Sequence, residues 1–293
     1  MKPMNKLPEI SAGDFLIRYY QKRSSSFLLN IYNACITVTE NDIHKARVDL
    51  KKIYALLSFF DMLGLKTFNS KGTQKIFKEV FAASGKIREI QMNLLYLESL
   101  EESDDEIQLY SEYLRSLYKK KIKRFIQSII RFDEKEFKQI RGSIRQNCRN
   151  IKIVKIVNKC DDYFRMHSAR ISKFRSGSEN IENVHKIRKE MKNISAIAKL
   201  LKYLYVDEFL EKLISEVDKT EVIIGEWHDR VILRDSLESF MEKENTKHVK
   251  KFINLEKIKA DLDTEIDHLL ARLLPEADNV VSTIVQTTLN RQA

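Results

Sequence analysis

Turn-forming residues are scarce in this chain: seven glycines and three prolines among 293 residues. The prolines stand at Pro3, Pro8 and Pro275, so nothing between residues 9 and 274 is barred from helix on that ground. A sandwich, a barrel or a collagen-like chain needs far more turn chemistry, and these classes are excluded. Long apolar runs are missing too. The richest, Ala55-Leu-Leu-Ser-Phe-Phe60, is far too short to span a bilayer, and the N-terminus lacks the apolar stretch of a signal peptide. Cysteine is limited to Cys35, Cys148 and Cys160, an odd count at wide spacing without a metal pattern. Reduced thiols in a cytoplasmic protein are expected. Disorder is excluded by what remains, 43% apolar and 9% aromatic residues, which suffice for a core.

Apolar residues recur at three- and four-residue intervals almost throughout, which predicts an all-α chain of roughly ten helices arranged in bundles. Breaks are expected near Gly64 to Gly72, at residues 101–105, at Gly142, at 175–180 and near 244–246. Thr39 or Asn41, and Ser178 or Asn180, are candidate helix caps. Lys and Arg number 52 against 42 Asp and Glu, a net charge of +10. With a pI near 9.3, this suits a polyanionic partner, although a solvated Lys/Glu surface would produce the same balance.

Two segments align without gaps at an interval of 141 residues: Ile43-His-Lys-Ala-Arg-Val-Asp-Leu-Lys-Lys-Ile53 and Val184-His-Lys-Ile-Arg-Lys-Glu-Met-Lys-Asn-Ile194. Ile43, Ala46, Leu50, Ile53, Leu57 and Phe60 correspond to Val184, Ile187, Met191, Ile194, Ala198 and Leu201, with the 3-4-3-4-3 spacing of a bundle seam. Downstream, Gly85-Lys-Ile-Arg-Glu89 matches Gly225-Glu-Trp-His-Asp229 at nearly the same interval. A single domain over 10–291 is therefore expected, built of two similar halves, 10–145 and 150–291, related by an approximate two-fold axis.

Each half repeats His-x-x-Arg-x-x-x-Lys: His44, Arg47, Lys51 and His185, Arg188, Lys192. On a helix the three positions fall within roughly a 60° sector and span about 10 Å along the axis. Lys45, Lys52, Lys186 and Lys189 add charge nearby. Asp49 and Glu190, the nearest acids, point elsewhere around the helix. A row of like charges beside a core calls for an anion, and a phosphate chain supplies closely spaced charge. Arg meets it with a planar fork, Lys as a point charge and His as a directional donor.

These motifs resemble the CHAD family, the conserved histidine α-helical domain. The resemblance implies two pseudo-symmetric bundles of about four helices each, a basic surface between them and binding of inorganic polyphosphate. Some members lie at polyphosphate granules. It further implies that His44, Arg47, Lys51, Lys52, His185, Arg188 and Lys192 contact the polyanion, joined by Arg88 at the family's first-half arginine position. The chain departs from the family pattern at Ile53-Tyr54, at Asn193 and Ser195, and at Glu89, so the second-half row is thinner.

Remaining features carry less. His228 lies beside Trp227 and Asp229, where hydrogen bonding to a carboxylate is the commoner role; it is also a candidate ligand contact. The six histidines show no metal spacing, so neither metal nor cofactor is expected. Glu134-Lys-Glu-Phe-Lys138 matches the ExExK signature of triphosphate tunnel enzymes, but that chemistry needs a barrel strand and this segment has helical spacing. In the basic run Lys119-Lys-Lys-Ile-Lys-Arg124, Lys121 and Arg124 are the candidates to border a groove, with Lys247-His-Val-Lys-Lys251 as a second-half analogue. The expected function is non-enzymatic polyphosphate binding in the cytoplasm, with a helical nucleic-acid binder and then a polyphosphate hydrolase as alternatives.

Overall fold

Asp104 and Asp133, like Thr39 and Asn180, offer side-chain oxygens to the free N–H groups that begin a helix, and each caps one. The structure, a computed structural model, describes residues 11–65, 70–100, 104–178, 180–205, 207–245 and 252–290. Its regular elements are ten helices: α1 (Ala12–Thr37), α2 (Glu40–Met62), α3 (Ser70–Lys75), α4 (Lys78–Ser99), α5 (Asp105–Ile130), α6 (Glu134–Cys148), α7 (Ile153–Arg175), α8 (Ile181–Leu201), α9 (Glu208–Asn245) and α10 (Ile253–Asn290). Among the described residues there is no strand. Glu134 to Lys138 form the first turns of α6, where Lys138 pairs with Glu134 at 3.4 Å, so the ExExK match lies on a helix.

The expected break at Gly142 is not one. Gly142 is exposed within α6, and the buried Ile140 and Ile144 on either side hold the helix through it at the modest cost of a glycine. The chain turns instead at 131–133, before the Asp133 cap, and again at 149–152. Pro275 is likewise exposed inside α10, between the fully buried Leu273 and Ala277. Gly64, just past the end of α2, takes the left-handed conformation with φ +65° that favours glycine.

All twelve seam residues of the repeat are buried, each at most 3% exposed, and they belong to one core that runs through both halves. Helix neighbours repeat as well. α1 packs on α2 as α7 does on α8, α2 on α4 as α8 on α9, and α4 on α5 as α9 on α10. Across the junction α2 meets α8 and α4 meets α9, so the two motif helices lie at the centre of the molecule.

Each motif helix is fixed from behind by a buried acid. Asp49 accepts from Arg23 Nη1 (3.1 Å) and Ser26 Oγ (2.5 Å) on α1. Glu190, 141 residues later, pairs with His167 and, at 3.6 Å, with Arg170 on α7. Burial by itself would raise the Glu190 pKa; the His167 hydrogen bond and the nearby cations bring it below the usual carboxylate value. Both acids thus face away from the His-Arg-Lys rows. They turn the cationic faces of α2 and α8 toward the junction.

Candidate functional site

Where α2, α4, α8 and α9 meet, a cleft of about 160 Å³ is lined by His44, Arg47 and Lys51 from α2, Arg88 and Glu89 from α4, Arg188 from α8, and His228 and Asp229 from α9. The whole first row therefore opens on this space, but of the second row only Arg188 does; His185 and Lys192 are not among the lining residues. Four permanent or lysine cations face only two carboxylates there.

Arg47 is anchored by α4. Its guanidinium stacks on the Phe81 ring, 4.6 Å from the centroid, and Nη1 donates to the Phe81 carbonyl (2.7 Å) and Ser84 Oγ (3.2 Å). A Cβ on Gly85 would stand 3.0 Å from Nη1. Glycine at this position therefore leaves room for the arginine, which accounts for the first Gly-x-x-Arg segment. At Gly225 a Cβ would meet nothing within 4 Å, so the second glycine has no such role.

The cluster is electrostatically frustrated. Burial lowers the Arg47 pKa to about 10, with Arg188 and Arg88 adding to the effect against Glu89. Burial likewise brings Lys51 down to about 7, helped by the charges of Arg188, Arg47 and Lys192. His228 falls to about 3 through burial and then the charges of Arg188, His185, Lys51 and Arg47. His44 and His185 are lowered too, first by burial and then by neighbouring arginines. Arg188 Nε and His228 Nδ1 are buried without a hydrogen-bond partner. The carboxylate partner expected for His228 is absent. Its ring lies edge-on to His185, at 5.1 Å, and the adjoining Asp229 is one position further around α9. A buried polar atom without a partner, such as the Arg188 Nε donor, beside cations that outnumber the carboxylates is costly unless an anion completes it.

The halves differ at one turn before the glycines. Phe81 precedes Gly85 by four residues and Glu221 precedes Gly225 by four. Glu221 pairs with Lys192 at 3.0 Å and with Lys199 at 3.6 Å, and it accepts from Ser195 Oγ at 3.1 Å. The second-half row is thus partly neutralised, whereas Arg47 and Lys51 have no ion-pair partner among the described residues and feel Glu89 and Glu221 only at longer range.

The other expected residues are dispersed. His185 touches Trp227 and His228 behind the cleft. Arg88 lines the cleft but is ion-paired with Glu40. Lys52 is half-buried on the Arg23–Asp49 side of α2. Lys45 and Lys189 are exposed, outside the cleft lining. Lys186 lies over Phe174 and pairs with Glu182 at 3.1 Å. Lys121 and Arg124 border a separate groove between α4 and α5. The Lys247–Lys251 segment lies outside the described residues. Phe81, Ser84, Glu221 and Glu40 escaped the sequence reading. The first and third are findable as the positions one helical turn before each motif glycine.

Among the described residues no group of three or more His, Cys, Asp or Glu side chains is arranged to hold a metal ion, and no helix is long and apolar enough to cross a membrane. Cys148 and Cys160 are buried and Cys35 half-buried, and none of the three is in a disulfide.

Fold and site together define an all-α protein of two similar helical halves with a cationic cleft at their junction. The model of the CHAD domain matches residues 32–238, and the chain belongs to the CHAD family. The crystal structure of the CHAD domain from the plant Ricinus communis has a similar fold, with a TM-score of 0.68 over 96% of this chain and 94% of that one, at 10% sequence identity. Among curated proteins no sequence matches the chain.

Proposed function

We propose that the cleft binds inorganic polyphosphate and that the protein acts without chemical turnover, with residues 10–291 as one binding unit. The observation that carries this reading is the junction of Arg47, Lys51 and Arg188 across α2 and α8, with buried donors unpaired and too few carboxylates to neutralise them. Membership of the CHAD family, which is associated with polyphosphate, supports the same ligand. The mechanism is multivalent charge-assisted hydrogen bonding: arginine forks on non-bridging oxygens, Lys51 recharged by the anion, and His228 Nδ1 as a buried donor when protonated or in its Nδ1–H tautomer. Placement in the cytoplasm, with polyphosphate granules as one site of action, follows from the same reading.

Nucleic acid is the weaker ligand on this geometry. No Phe, Tyr or Trp is among the residues lining the cleft, so the large aromatic platforms on which successive bases stack are missing there. The test is equilibrium binding of polyphosphate, with RNA and DNA as competitors at matched phosphate and salt. Polyphosphate should win, with affinity falling steeply as salt rises. Replacing Arg47 and Arg188 together by alanine should weaken binding at least about tenfold, since each charged contact contributes about 1–3 kcal/mol. An unchanged affinity in a variant with an unaltered melting temperature would reject the site. Release of orthophosphate in the presence of Mg²⁺ or Mn²⁺ would reject the non-enzymatic reading.

A further inference from the structure

α4 presents a second face to solvent beside the cleft. Gly85, Arg88 and Glu89 look into the cleft, while Ala82, Ala83 and Lys86 line a groove of about 470 Å³ against Lys121 and Arg124 of α5 and Arg131 just past its end. The two faces lie about 120° apart around the helix. Ala82, Ala83 and Ser128 line the groove with small side chains and leave room between its basic residues. Glu79 is its one carboxylate. Lys121, Arg124 and Arg131 have no ion-pair partner among the described residues. The Lys121 pKa is lowered, by burial and then by the charges of Arg124 and Lys86.

Glu89 connects the two spaces. It lines the cleft and pairs at 2.8 Å with Lys86, which lines the groove. On the far side of the cleft the Lys192–Glu221 pair closes the second-half row. A phosphate chain seated against Arg47 and Arg188 meets the Lys192–Glu221 pair in one direction; in the other it passes the Lys86–Glu89 pair and then reaches Lys121, Arg124 and Arg131, cations with no ion-pair partner among the described residues. From this juxtaposition, and resting on the polyphosphate reading of the cleft, we infer that the α4–α5 groove is a second anionic subsite, which takes the length of a polyphosphate chain leaving the cleft past Glu89. Long chains occupy both subsites and short ones the cleft alone, so the groove makes the protein selective for chain length.

The test compares long-chain polyphosphate with tripolyphosphate on the full chain. The double variant Lys121→Ala/Arg124→Ala should lose at least about tenfold in affinity for the long ligand and change less than about twofold for tripolyphosphate. A charge-matched control, Lys119→Ala/Lys123→Ala, removes exposed lysines of α5 that do not line the groove. It should reduce long-chain affinity distinctly less. Equal losses for both ligands, a loss no larger than the control's, or no loss at all would overturn the groove assignment. The Arg47→Ala/Arg188→Ala variant separates this from failure of the cleft. If it binds both ligands as wild type does, or if wild type binds neither, the polyphosphate reading itself falls. If it weakens both while the groove variant is silent, only the groove is lost.

Discussion

Lys192 is ion-paired with Glu221 at 3.0 Å, whereas Lys51, its counterpart 141 residues earlier, has no carboxylate within ion-pair distance among the described residues. A duplicated motif has thus become asymmetric through one position outside it, Glu221 in one half and Phe81 in the other. The first half keeps its charge for a ligand. The second half uses part of its own charge internally.

Replacing Glu221 by glutamine should free Lys192 while keeping a partner for Ser195. The expected result is a rise in polyphosphate affinity of about threefold to tenfold, with a stability loss of no more than about 1 kcal/mol, the scale of a partly exposed ion pair. Titration calorimetry and urea denaturation read the two effects separately. A fall in affinity would mean that Glu221 orients Lys192 toward the anion instead of withholding it.

Anion binding should take up protons. Lys51 sits near pKa 7 in the free protein and an anion restores its charge, so at pH 8 complex formation draws up to one proton onto it, and affinity declines as pH rises above 7. Calorimetry at pH 8 in buffers of differing ionisation enthalpy measures the proton count directly; heats that do not depend on the buffer would contradict the coupling. Stability of the free protein follows the opposite course. The folded-state pKa lies below the unfolded value of 10.5, so Lys51 disfavours folding fully below pH 7, and this penalty is relieved as pH rises from 7 toward 10.5.

The two motif glycines should respond differently to alanine. Gly85→Ala places a methyl 3.0 Å from Arg47 Nη1 and displaces the guanidinium, so ligand affinity drops while the fold persists. Gly225→Ala meets nothing within 4 Å and should stabilise the protein by about 0.5–1 kcal/mol through helix propensity, with affinity unchanged. Thermal melts and binding on the two variants decide it; similar behaviour of both would undo the distinction.

Removing a buried acid behind a motif helix should cost folding energy. Glu190→Ala strands the fully buried His167 and should destabilise by about 3 kcal/mol, as loss of one partner from a buried pair does. Chemical denaturation measures this. A loss below about 1 kcal/mol would indicate that the pair is not part of what fixes α8.

The helical class, the seam and the two cationic rows were legible because each depends on periodicity within one helix. Thr39 and Asn180 were readable as caps for the same local reason. Gly142 misled because local propensity is a small term that Ile140 and Ile144, both buried, override. The dispersal of Lys45, Lys186 and Lys189 could not be read, since which flank of α2 or α8 faces the junction is fixed by Asp49 and Glu190 reaching back to α1 and α7. Long-range pairs such as Arg47 with the Phe81 carbonyl, or Arg88 with Glu40, leave no periodic trace at all.

A second, smaller apolar cluster lies apart from the main core. It joins Ile90 and Leu97 of α4, Tyr110 and Leu114 of α5, Leu237 and Phe240 of α9, and Leu255 and Leu262 of α10. It shares no buried residue with the main core, although Tyr118 packs against both and Ile90 adjoins Glu89 of the cleft, so this part of the molecule can open as its own cooperative unit. Backbone amides there should exchange with deuterium sooner than those of α2 and α8, and the α2–α8 side of the junction would keep its shape while the α4–α9 side next to this cluster breathes.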